Sequence, residues 1–235
     1  MNGRPAVGRR RPGPSVTLVD ATSDGIAPGL LLALAAVLQI QVDRDLWPRW
    51  GLRASIAALP RGARPPAASW AIWIVDVVQG ASGKHLDARG VPYALVDVEG
   101  RWTVTASHEL LEMLGDPGRR TFRTAPSIDP AAGGRPVHYL VEIADPCEDE
   151  PYLINGVQVS DFVTPAFYGG RGPFDLLGRL SRPLEVLLGG SLSWIDPYDG
   201  HWWQKLPNGE IVRGNLASSA PNATADRDAA FAGVS

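Results

Sequence analysis

The segment Ser107-His108-Glu109-Leu110-Leu111-Glu112-Met113-Leu114-Gly115-Asp116-Pro117 carries the reading of the whole chain. Either Thr103 or Thr105 could cap a helix here, and Gly115 followed by Asp116-Pro117 supplies its stop, so a helix is predicted up to Leu114. On that helix His108 and Glu112 stand at i and i+4, one above the other on a single face. An imidazole nitrogen and a carboxylate oxygen can therefore converge on one metal ion. Glu109 sits about a quarter turn away, where a carboxylate can hold a water on that ion without displacing it. The competing reading is a solvated helix face that happens to carry two acids and a histidine. The apolar Leu110, Leu111, Met113 and Leu114 argue against it, because they bury half of the helix and turn its polar stripe toward a cleft.

Outward from the helix, strands and helices are mixed without strict alternation, which predicts an α+β fold. Residues 15–20 read as a strand, and Pro28 opens a first core helix over Leu30–Val42 that should end near Trp47-Pro48. Residues 52–59, 70–78 and 92–98 are rich in β-branched, aromatic and apolar residues and read as strands. Downstream, Val137–Ile143 reads as a strand and Tyr152–Val159 as a hairpin around Asn155-Gly156. Residues 163–173 read as irregular, 175–188 as a short amphipathic helix and 194–203 as an aromatic segment. The Gly-, Pro- and Arg-rich residues 1–14 read as a flexible basic arm, 15–215 as a single domain and 216–235 as a disordered tail.

Of the 235 residues, 45% are hydrophobic and 20% charged, enough apolar material for a sizeable core. Basic and acidic residues number 22 and 25, and the pI near 5.8 argues against a nucleic-acid binder held by a broadly basic surface. The lone Cys147 excludes a disulfide-stapled fold and a Cys-rich zinc knuckle. Arg9-Arg10-Arg11 ahead of the apolar run 29–40 imitates a signal peptide. The intervening strand-like Ser15–Asp20, the acid Asp24 and the continuation into Gln39, Gln41, Asp43, Arg44 and Asp45 speak for a buried helix instead. The run is also shorter than the roughly 20 residues that span a bilayer. A cytoplasmic protein without a membrane anchor is expected.

The H-E-L-L-E sequence departs from the H-E-x-x-H of zinc hydrolases, since Glu112 stands where a second histidine would. Residues 107–117, followed by Val141-Glu142-Ile143-Ala144-Asp145-Pro146-Cys147-Glu148, resemble a family of mostly uncharacterised zincin-like proteins with an S-H-E-x-x-E-x-x-x-D-P helix and an E-x-x-D segment. Similar pairs occur in the plant exordium-like proteins. The resemblance extends to 38–45 with Trp50-Gly51, to Gly83-Lys84-His85 and to Val159–Pro165. It implies a zincin-like core, in which a twisted mixed sheet packs on the first core helix and on an active-site helix. It also implies His108 and Glu112 as metal ligands and Glu109 as general base. A third ligand would come from Glu142 or Asp145, with Asp116 a further candidate. Zinc is the expected cofactor, although one imidazole among carboxylates makes a harder site that could favour another divalent metal.

The acids Glu142, Asp145, Glu148, Asp149 and Glu150 also admit a calcium site without EF-hand spacing, or an ordinary acidic surface loop. Asp161 is expected to support the site or cap a turn. His85 reads as a surface or loop-stabilising residue, the alternative being a loop residue of the site, since the resemblance places a glycine and a histidine before the following strand; His138 and His201 read as structural. Trp202-Trp203 could form a binding platform, but eight tryptophans in one domain favour core and edge packing. Cys147 among acids is a poor nucleophile. The chemistry points to a zinc metallopeptidase acting on a peptide or protein. The alternative is a non-catalytic binding or structural protein that keeps a metal for stability. An iron-dependent oxygenase would need His85 or His138 to join His108.

Overall fold

Residues 13–214 are described by a computed structural model. The first element of the described residues, β1 (Ser15–Asp20), is buried after its first residue and becomes an inner strand of a five-stranded sheet. Its partners are β2 (Ser55–Ala58), β3 (Trp70–Val75), β4 (Gly83–Ala88) and β5 (Val91–Asp97), in the order β2-β1-β3-β5-β4. All pairings are parallel except β4 with β5, so the sheet is mixed and β4 is its antiparallel edge. Edge position explains why β4 escapes the sequence reading: Gly83, Lys84 and Asp87 break the apolar run that marks inner strands.

Two helices cover one face of this sheet. α1 (Pro28–Ile40) starts on its proline, as expected, and packs Leu31, Leu34 and Leu38 against Val16 and Leu18. It does not stop at Trp47-Pro48. The helix widens into a π-helical stretch over Gln41–Leu46 and resumes as the single turn α2 (Trp47–Trp50), ending at Gly51 with φ +69°. Pro48 lies in the first turn of α2, where its missing N–H costs least. α3 (Trp102–Gly115) is the expected second helix and lies beside β5 and β4. The opposite sheet face carries a smaller cluster of Val19, Trp73, Leu86, Tyr93 and Leu95.

A second, fully antiparallel sheet is not legible as a unit in the sequence. It comprises β6 (Phe122–Pro126), β7 (Pro136–Leu140), β10 (Leu192–Asp196), β11 (His201–Lys205) and β12 (Ile211–Gly214), in the order β12-β11-β10-β7-β6. Between them, β8 (Pro151–Ile154) and β9 (Val157–Ser160) form the expected hairpin, whose turn residues Asn155 and Gly156 both have positive φ, at 49° and 82°. β9 packs on α3. Residues 175–188 form turns rather than the expected amphipathic helix, with Gly178 and Leu184 both at positive φ and Pro183 between them.

The fold is thus mixed α+β, with several sheets and α1 and α3 as its long helices. No helix among the described residues is long and apolar enough to cross a membrane. Gly13 and Pro14 already run against Arg53–Ser55, while residues 1–12 of the expected arm and the expected tail after 215 lie outside the described residues.

Candidate metal centre

Helix α3 is set in place by polar contacts at its back. Ser107 Oγ donates to Gln41 Oε1 at 2.8 Å and accepts from Ser160 N at 3.0 Å, while Gln41 Nε2 donates to Ser160 O at 3.0 Å. Gln41 and Ser107 are fully buried, so this closed network bolts the π-helical stretch, α3 and β9 together. Ser107 is therefore a structural residue. The expected threonine caps are absent: Arg101 occupies the N-cap, Thr103 Oγ1 donates to Gln158 O and Thr105 Oγ1 to Arg101 O.

The front of α3 faces the segment after β7. Gly115 ends the helix with its α-carbon against Ile143, where an added Cβ would lie 3.1 Å from Ile143 Cγ2. This close approach brings the backbone of 143–145 under the helix. Ala144 N and Asp145 N then donate to Glu112 Oε1, at 2.5 and 3.3 Å. On the next turn, His108 Nε2 lies 3.1 Å from Asp145 Oδ1. Ligand atoms of His108, Glu112 and Asp145 all lie within 4.8 Å of one another. Glu112 Oε2 is buried with no hydrogen-bond partner.

Asp145 is held from behind by a turn that sequence reading passed over. Ser191 N donates to Asp145 O at 3.0 Å and Ser191 Oγ to Asp145 Oδ2 at 3.2 Å, while Leu187 N donates to Pro146 O. Gly190 lies flat on this backbone, where a Cβ would sit 2.6 Å from Pro146 O. The glycines of 187–191 are the signal that could have flagged the contact.

The electrostatics are those of an anionic cluster with one imidazole. Burial works against a charged His108, but its hydrogen bond to Asp145 and the charges of Glu109, Asp145 and Glu112 outweigh this and raise its pKa to about 10. Burial, reinforced by Asp145, pushes the Glu112 carboxyl well above the usual range. Asp145 goes the other way: burial would raise it, and the hydrogen bond and charge of His108 hold it low.

The other candidates divide. Of the possible third ligands, Asp145 joins the convergent group and Glu142 does not. Glu142 is buried beside it in the same cleft, with Oε2 unpartnered and its pKa pushed up to about 8 by burial and by Asp145. Asp116 Oδ1 is spent on Arg120 N, Thr121 N and Thr121 Oγ1, so this acid caps the turn after α3. Glu109 is 5% exposed and lines the cleft, with Oε2 3.7 Å from His85 Nδ1. His85 is not in a loop but on β4, and it is buried in this cleft wall. Asp161 accepts from Phe162 N and pairs with Asp175, away from the ligand group. Asp149 pairs with Arg101 and Glu150 with Arg179, as residues of an acidic surface loop would.

His138 Nδ1 bonds Thr124 Oγ1 across the second sheet, and His201 contacts Arg213. Trp202 is buried and Trp203 Nε1 donates to Asp199. Cys147 is fully buried, and burial with the charges of Asp161 and Asp175 pushes its thiol up. The cleft that holds the cluster has a volume of about 820 Å³ and opens between β4, α3 and the 142–149 segment. Compared with family models, curated proteins and solved structures, the chain matches none.

Proposed function

We propose that the chain is a metal-dependent hydrolase of zincin-like architecture that cleaves peptides or proteins, with zinc as its ion. The observation that carries this reading is the convergence of His108, Glu112 and Asp145 within 4.8 Å, with Glu112 Oε2 buried and unpartnered. Leaving such an oxygen unsatisfied costs about 1–3 kcal/mol. One imidazole nitrogen with carboxylate oxygens is a donor set that suits zinc and harder divalent ions, and three protein ligands leave a position for water.

His108, Glu112 and Asp145 would hold the ion. Bound there, it would polarise a carbonyl and acidify a water. The chain's own residues supply the rest. The N–H groups of Ala144 and Asp145 fix Glu112 by one oxygen and present the other. Ser191 orients Asp145 through its second oxygen. Glu109, on the cleft wall, takes the proton of the attacking water and returns it to the leaving amine. A cleft of about 820 Å³ has room for a short stretch of peptide around the scissile bond. A buried, unreactive Cys147 fits a reducing, cytoplasmic setting.

The test is elemental analysis of wild type and His108→Ala, both purified without chelator or added metal. About one zinc per chain in the wild type, lost in the variant, is expected. No metal in the wild type, or equal content in both, would refute the reading. A second reading, a metal-stabilised protein without catalysis, is favoured by the scaffold bonds that already engage Glu112 Oε1 and Asp145 Oδ2. Zinc retained, with no cleavage of a peptide library by the wild type, would select it.

A further inference from the structure

The edge strand β4 runs beside the carboxylate of Glu109. Gly83 and His85 are two residues apart and so share a face, opposite Val96 and Ala94, whose side chains belong to the core beneath α3. A Cβ on Gly83 would stand 2.7 Å from Glu109 Oε1 and 2.5 Å from Thr105 Cγ2, so only glycine admits the carboxylate there. Two residues along, His85 Nδ1 stands 3.7 Å from Glu109 Oε2. Both side chains are more than nine-tenths buried, His85 at 8% exposure and Glu109 at 5%.

The other ring nitrogen, His85 Nε2, is buried with no partner. A proton on Nε2 would be an orphaned donor, whereas a proton on Nδ1 faces a carboxylate oxygen. The first arrangement forfeits a hydrogen bond and the second gains a charge-assisted contact, so the proton belongs on Nδ1. At 3.7 Å the contact is longer than a formed hydrogen bond, as catalytic contacts often are before substrate binds.

We propose that His85 is a positioning residue for Glu109: β4 holds the carboxylate in place between Gly83 and the His85 Nδ1–H. The inference rests on the reading of this cleft as a hydrolytic site. Its chemical sense is that a free glutamate next to His108 has two alternatives. It can lose definition among its rotamers. It can also swing onto the ion and occupy the position that water needs. A strand that leaves a close-fitting space for one oxygen and sets an imidazole against the other suppresses both.

The first measurement needs neither metal nor activity. Long-range proton–nitrogen spectra of the imidazoles are recorded on the metal-free full chain at neutral pH, with the His85 signals assigned by their loss in His85→Gln. A proton on His85 Nδ1 in the wild type that moves toward Nε2 in Glu109→Leu is the expected result. A proton on Nε2 in the wild type, or the same His85 signals in both proteins, would overturn the proposal. Circular dichroism checks that each variant is folded, and Glu109→Ala serves should leucine not fit beside Gly83.

The second measurement uses zinc-loaded protein and acetohydroxamic acid as probe. His85→Leu should weaken the probe about tenfold, His85→Gln should recover most of that, and in the Glu109→Leu background His85→Leu should add nothing. An equal loss in both backgrounds would mean that His85 does not act through Glu109, and no loss in either would mean that it does not act at all. Either result overturns the proposal. Should the wild type take up no zinc, the hydrolase reading fails while the imidazole spectra still decide this one.

Discussion

Glu112 has one oxygen in use and one idle, and the idle oxygen is what a divalent ion would complete. Without the ion the cluster manages its charge with protons: His108 titrates near 10 and Glu112 is raised well above the usual carboxylate range. His108 must surrender its proton to become a ligand. Because its pKa is about 10, metal uptake at pH 7 should release protons, and apparent affinity should climb with pH until His108 is neutral. Calorimetry in two buffers of different ionisation enthalpy reads this directly. About one proton or more per ion is expected, and no release would show that His108 stays outside the coordination sphere. At the same scale, Glu109→Gln should keep its zinc while turnover falls roughly 10²- to 10⁴-fold.

Elements hold these residues through contacts that can be weakened separately. Ser107→Ala leaves Gln41 Oε1 and Ser160 N without their partner in a fully buried place. It should cost about 1–3 kcal/mol in urea unfolding, with His108, Glu112 and Asp145 themselves unaltered. A second joint is the Asp161–Asp175 pair, where both acids are fully buried and burial with the bond to Asp175 pushes Asp161 up to about 8. In the unfolded chain this carboxyl titrates near ~3.9. Between those values the folded state keeps a proton that the unfolded state has lost. Stability from this group is therefore complete below about pH 4 and is lost progressively as pH rises to about 8. Asp161→Asn, whose amide donates to Asp175 at every pH, should flatten that slope in unfolding curves taken from pH 4 to 8. An unchanged slope would place the proton elsewhere.

On the scale of the whole molecule, the cluster is where three parts of the chain meet. The first sheet contributes α3 and β4, the connection after β7 contributes Asp145, and the 187–191 turn before β10 secures it. An ion at this junction stabilises the folded chain alone. Zinc at a hundredfold excess over its Kd should add about 2.7 kcal/mol to unfolding, and His108→Ala should abolish the gain. A thermal shift that persists in the variant would mean that the ion binds elsewhere.

The sequence determined the local pieces whose cause is local. The proline that opens α1, the Asn155-Gly156 turn, the inner apolar strands and the one-turn spacing of His108 and Glu112 all follow from backbone preference and periodicity. Where a distant neighbour supplied the cause, tertiary structure decided. β4 is a strand only because β5 pairs with it, and the π-helical stretch exists where Gln41 meets Ser107 and Ser160. The choice of Asp145 over Glu142 and Asp116 is of the same kind. All three acids are within reach by sequence, but the close fit of Gly115 on Ile143 and the bonds from Ser191 bring only Asp145 into the convergent group, with Asp116 kept for the turn. Periodicity carries information over one or two turns of chain, whereas a convergent group assembled from α3 and a loop some thirty residues later needs the packing between them.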